Sequence, residues 1–170
     1  MPLQLFWVTA CFKEGIIMQL NEALRIVLSG LIGTFGFTLV FRSNKNRVII
    51  STVGGVLTCV IYLISCHFFE HELMQNLFPA LGATVYAEIM ARLTRAPATP
   101  ILACSIIPLV PGGKLYYTTY YFVIGEMESF YESIVALLRI ASGLAVGIII
   151  VSVIVHEINR NKFKHILDIE

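Results

Sequence analysis

Charge is scarce in this chain. Only 14% of its 170 residues are Asp, Glu, Lys or Arg, whereas soluble domains carry about a quarter. That excludes a water-soluble globule, which needs polar surface to stay dispersed, and a disordered chain, which needs high charge and low hydrophobicity. Cysteine is sparse too. Cys11, Cys59, Cys66 and Cys104 form no CxxC pair, which argues against a disulfide framework or a zinc module. The start is not basic and no small-residue cleavage site follows, so no signal peptide is expected. With no basic stripe and no RNA motif, nucleic acid is not an expected partner. An ATP-binding glycine loop and a serine–histidine or paired-aspartate arrangement are likewise missing, so neither a pump, an enzyme nor a cofactor is expected.

Apolar residues are what the chain has, at 57% with a mean hydropathy of +0.81. Five stretches suit membrane crossing: Ala23–Phe41, Val48–Phe69, Leu77–Leu93, Thr99–Gly125 and Ile134–Val155. About 20 helical residues cross 30 Å of hydrocarbon, a length the third stretch barely meets. Helices are expected because lipid cannot satisfy backbone N–H and C=O groups, and the alternation of a barrel strand is missing. The expected class is an all-α polytopic membrane protein with about five transmembrane helices. Residues 1–22 are read as an interfacial segment anchored by Trp7, 23–156 as the membrane domain and 157–170 as a basic tail.

Basic and acidic loops alternate. Arg42, Lys45, Arg47, Arg92, Arg95, Arg160, Lys162 and Lys164 make eight of the 12 basic residues and fall on one side. Glu70, Glu72, Glu126, Glu128 and Glu132 fall on the other. The positive-inside rule then places the N-terminus outside and the C-terminus in the cytoplasm. Gly30, Gly33 and Gly36 in the first stretch, Gly54–Gly55 in the second and Gly143 with Gly147 in the fifth are read as helix-packing sites, within the domain or against a partner. Cys66, His67 and His71 are read as polar residues at a helix end. A metal site there needs one helical face, and Glu70 to Asn76 reads as loop.

The informative stretch is the fourth. Pro108, Pro111, Gly112 and Gly113 should break the helix, because proline removes a donor and clashes with the preceding turn. Two half-helices meeting inside the membrane are tolerated only where they line a cavity or are buried in protein. The second would start near Gly112 and offer free N–H groups to an anion. Lys114 follows, and an intramembrane lysine is functional by default. Its partner is expected to be a substrate carboxylate or Glu88. Glu88 has two readings: a proton carrier or counter-ion, or an i,i+4 partner of Arg92. Tyr116 could donate a hydrogen bond near the break.

The run Ala91-Arg92, Pro97-Ala98-Thr99 and Ile106-Ile107-Pro108-Leu109-Val110-Pro111-Gly112-Gly113, with Tyr116, resembles the signature of the threonine/serine exporter family. The likeness covers about residues 23 to 156, and is to the small subunit matching the C-terminal half of full-length exporters. It implies a multi-pass protein of the cell membrane that works with a companion membrane subunit, as a hetero- or homo-oligomer. It also implies export of threonine and serine, or of dicarboxylates such as succinate for a related bacterial pair. Lys114 departs from the family pattern, where a small or uncharged residue is expected. The expected function is therefore proton-coupled secondary export of a small carboxylate-bearing substrate. That substrate would bind at Pro108, Pro111, Gly112, Gly113, Lys114 and Tyr116, with Glu88 as proton-coupling residue or counter-ion. A non-transporting subunit that stabilises a partner is the rival reading.

Overall fold

The computed structural model describes residues 16–40 and 45–167, and every regular element among them is helical. The elements are α1 (Ile16–Val40), α2 (Lys45–Phe68), α3 (Glu72–Thr94), α4 (Ala98–Ser105), a 3-10 turn (Ile107–Leu109), α5 (Gly112–Ile124) and α6 (Met127–Leu167). Each of the five apolar stretches therefore holds a helix, with the fourth divided. The interfacial segment expected at 1–22 lies outside the described residues up to 15; from Ile16 the chain is already α1.

Three described helices are long and apolar enough to cross a bilayer: Ala23–Val40, Arg47–Phe68 and Met127–Arg160. Ala98–Leu109 with Gly112–Ile124 makes a fourth if the bent pair is one span. Helix α3, expected as the third span, does not reach that standard, and its position explains why. It packs against α2, α4 and α6, and it buries Gln75, Asn76, Pro79, Ala80, Ala83, Thr84, Ala87 and Ala91. The face it turns to those helices carries small and polar residues in place of large apolar ones, which lowers the hydropathy of the whole helix.

The packing inverts that of a soluble bundle. Large side chains such as Ile32, Val40, Ile49, Phe68 and Leu93 face outward, while Thr34, Thr58, Thr84, Ser105, Cys59 and Cys104 are buried. Buried hydroxyls need acceptors. Thr34, Thr58, Thr84 and Ser105 donate to carbonyls one turn back at 2.7–2.8 Å, so they add no unpaired group to the core.

Neighbours and direction follow from close contacts. Helices α2 and α3 are antiparallel: Gln75 Nε2 donates to the Phe69 carbonyl at 2.8 Å and Tyr86 Oη to the Ile50 carbonyl at 2.8 Å. Helices α3 and α6 are parallel, Gly143 lying against Leu73 and Asn159 Oδ1 accepting from Arg92 Nη2 at 3.2 Å. The GxxxG pair of α6 is spent inside the domain. A Cβ at Gly143 would stand 2.5 Å from the Leu73 carbonyl oxygen, and one at Gly147 2.8 Å from that of Leu77. Gly30 likewise closes on Cys59, whereas Gly33 and Gly36 have nothing within 4 Å of an added Cβ.

Helix α6 starts earlier than expected. Glu128 and Glu132, read as loop, lie in its first turns, where acidic side chains suit the positive end of the helix dipole. Sixteen residues separate Met127 from Gly143, so about 24 Å of α6 precede its contact with α3. Helix α5 packs on this forward part and ends at Gly125, whose φ of 79° is the left-handed conformation that glycine adopts freely.

Candidate functional site

The break is built as proline and glycine chemistry dictates. Pro97 caps α4, and Pro100 sits in its first turn, where its missing N–H has no helical acceptor to lose. After Ser105 the chain tightens into the 3-10 turn at Ile107–Leu109, runs extended through Val110, and restarts as α5 behind Pro111. The two halves meet at 58°.

The bend opens a cavity of about 370 Å³, within the range of small-molecule sites. Ser29, Gly30 and Gly33 of α1 line it, with Cys59 and Tyr62 of α2, Asn76 of α3, Ile140 of α6 and the whole run Ile107–Lys114. Of the expected site residues, Pro108, Pro111, Gly112, Gly113 and Lys114 come together here. Tyr116 is not among the lining residues; it is 58% exposed and meets Tyr117 edge to face at 5.4 Å. Ser29, Tyr62 and Asn76 were not anticipated, because only the folded bundle brings α1, α2 and α3 to the break.

An α-helix leaves its first N–H groups without internal acceptors. In α5 the Gly112 N–H turns back to the Val110 carbonyl at 2.8 Å, and the Leu115 N–H bonds Pro111 at 3.0 Å. Gly113 and Lys114 are the remaining first-turn donors. Two N–H groups with no described acceptor and a cation beside them are groups of the kind that suit a carboxylate.

Lys114 has a carboxylate partner, and it is Glu72. The expected partner Glu88 is corrected here. Lys114 Nζ donates to Glu72 Oε1, the two side chains being 20% and 22% exposed. Glu88 lies sixteen residues further along α3, about 24 Å away, and does not line the cavity. Nor does it pair with Arg92, whose guanidinium reaches Asn159 instead. The physical reason is where α3 begins. Glu70 to Asn76 reads as loop in sequence, yet the helix starts at Glu72, which puts that carboxylate at the α2–α3 end of the bundle. Lys114 is at that end with it. The break therefore lies beside the first turn of α3 and not at its middle, because α5 turns away to follow α6. Glu72 could have been found from its place: an acid four residues before a polar Asn76 and five before the apolar run from Leu77, as the first turn of a helix should read.

A family model described as Threonine/Serine exporter, ThrE, matches residues 26–154, from α1 through the cavity and most of α6. The chain belongs to the threonine/serine exporter family. No curated protein and no solved structure matches it. Membership makes this exporter chain a multi-pass protein of the cell membrane, and its helices carry the apolar faces that setting requires.

Proposed function

We propose that this exporter-family chain is the membrane subunit that binds the substrate carboxylate of threonine or serine at the Pro108–Lys114 break. Export runs on the proton gradient and in company with a second membrane subunit. The observation that carries this reading is the cavity itself, whose wall holds the broken run from Pro108 to Lys114, with the start of the second half-helix and a lysine side by side. In low dielectric such donors strongly favour an anion. Glu88, half-buried in α3 away from the cavity, is kept as a proton carrier but not as the lysine's counter-ion.

Labelled threonine should leave proteoliposomes that hold this chain with its companion, and should stay in those that hold the chain alone. Full export by the lone chain overturns the two-subunit reading, and retention in both overturns transport by this pair. Glu88→Gln is expected to stop accumulation against a gradient while threonine–threonine exchange continues. Loss of both, or of neither, removes Glu88 from the coupling role.

The reading includes five crossings with the N-terminus outside. What supports a crossing by α3 is that it runs antiparallel along α2 from the Phe69 end to the Ile50 end. A cysteine at Glu128 should react with an impermeant reagent added outside whole cells, and one at Arg95 should not. The opposite pattern inverts the topology.

A further inference from the structure

The cavity wall holds a buried amide that is satisfied at one end only. Asn76 lies one turn into α3, is 5% exposed and lines the cavity. Its Nδ2 donates to the backbone carbonyl of Glu72 at 2.8 Å. That bond fixes the orientation of the amide, because turning it over would set oxygen against oxygen. Oδ1 is left accepting from no described group. Reach separates it from Glu72 Oε2, which is shut off from solvent while Asn76 Oδ1 is not. The little surface that Asn76 keeps lies on the cavity. Gln75 next to it makes a matching bond to the Phe69 carbonyl at 2.8 Å but is not part of the lining. A buried acceptor without a donor is costly, so Oδ1 suits a donor that arrives in the cavity.

Resting on the export reading above, we infer that Asn76 is a specificity-determining residue whose Oδ1 accepts a hydrogen bond from the substrate. The donor is a group that threonine carries beside its carboxylate, the β-hydroxyl or the α-ammonium. In that reading the Gly113 N–H and Lys114 take the carboxylate, and Asn76 supplies the acceptor that the break lacks. A ligand with a methylene in place of the donor leaves Oδ1 unpaired, and a site built to bond such a group rejects the analogue without it. A second carboxylate at the same place sets oxygen against oxygen, so the same residue disfavours a dicarboxylate.

Equilibrium binding to the purified full-length chain in lipid nanodiscs tests this with three probes. They are L-threonine, L-2-aminobutyrate (no β-hydroxyl) and 3-hydroxybutyrate (no α-ammonium). The wild type should bind threonine about two- to tenfold more tightly than the probe that lacks the contacting donor, the effect of one hydrogen bond. Asn76→Ala should close that gap by weakening threonine and the probe that keeps the donor, while the probe without it is unchanged. An unchanged 2-aminobutyrate identifies the hydroxyl as the donor, and an unchanged 3-hydroxybutyrate identifies the ammonium. Gln75→Ala is the control and should keep the gap. If Asn76→Ala does not fold, Asn76→Thr takes its place, since a threonine there can return its hydroxyl to the Glu72 carbonyl as Thr84 does to Ala80 at 2.7 Å. Equal binding of all three probes by the wild type overturns the inference without any variant. A variant that weakens all three alike, or none, overturns it as well and leaves the carboxylate-site reading intact. Wild-type protein that binds none of the three overturns both.

Discussion

Gly112→Leu should abolish threonine export and leave the bundle assembled, whereas Gly143→Leu should prevent assembly. The contrast follows from what a side chain meets at each position. At Gly143 a Cβ would lie 2.5 Å from the Leu73 carbonyl oxygen and 3.4 Å from its Cα. Backbone cannot rotate aside as a side chain can, so α3 and α6 must separate along their whole contact. Overpacking typically costs about 1–3 kcal/mol, and separating two helices that pack by close backbone approach adds lost dispersion contacts. At Gly112 an added Cβ meets nothing within 4 Å, yet the residue lines the cavity, so leucine fills space the substrate needs. Gly36→Leu is the control, since Gly36 has equal room and is not part of the cavity lining. Purification yield and thermal melting should single out Gly143→Leu; export should fail in Gly112→Leu and persist in Gly36→Leu. A Gly112→Leu protein that exports normally would remove the break from the substrate path.

The helices and the break could be read from residues alone because both depend on local chemistry. An apolar run that stops at Arg42, or one bounded by Arg47 and Glu70, fixes a helix by length and charge. Two prolines and two glycines within six residues break a helix whatever surrounds them. At the beginning of α3 two local signals compete, the acid of a first turn at Glu72 and the polar residues after it. Gln75 and Asn76 look like loop residues, yet both are buried, because their amides are satisfied by the Phe69 and Glu72 carbonyls. A polar face turned into protein imitates a solvated loop in sequence. The same ambiguity hid the pairing of Lys114, since 42 residues separate it from Glu72 and only the antiparallel return of α4 and α5 brings them together. The two glycine-rich faces also diverge for tertiary reasons. Gly143 and Gly147 are closed by α3, whereas Gly33 and Gly36 remain open.

The Lys114–Glu72 pair should behave asymmetrically in stability and in binding, and that asymmetry separates structure from function. Each side chain is about four-fifths buried, so removing one partner leaves a charge without compensation. For fully buried pairs that costs about 3–5 kcal/mol; the residual exposure of this pair puts it toward the lower end. Lys114→Ala should be the worse of the two, because it abandons a carboxylate whose Oε2 already lacks a donor. Glu72→Ala leaves a lysine that can still turn toward the water-accessible cavity it lines. In the Lys114→Ala, Glu72→Ala double variant no charge is stranded, so the melting temperature should return most of the way to wild type, a coupling that a double-mutant cycle measures directly. Threonine binding should not return with it. The double variant keeps the Gly113 N–H but has lost the ammonium, and a charge-assisted contact contributes about 1.5–3 kcal/mol, or roughly tenfold to more than a hundredfold in affinity. Stability restored together with binding would make the pair a structural clamp alone and leave the carboxylate to the backbone of α5. Stability restored without binding would make Lys114 a substrate ligand that the fold tolerates only because Glu72 sits beside it.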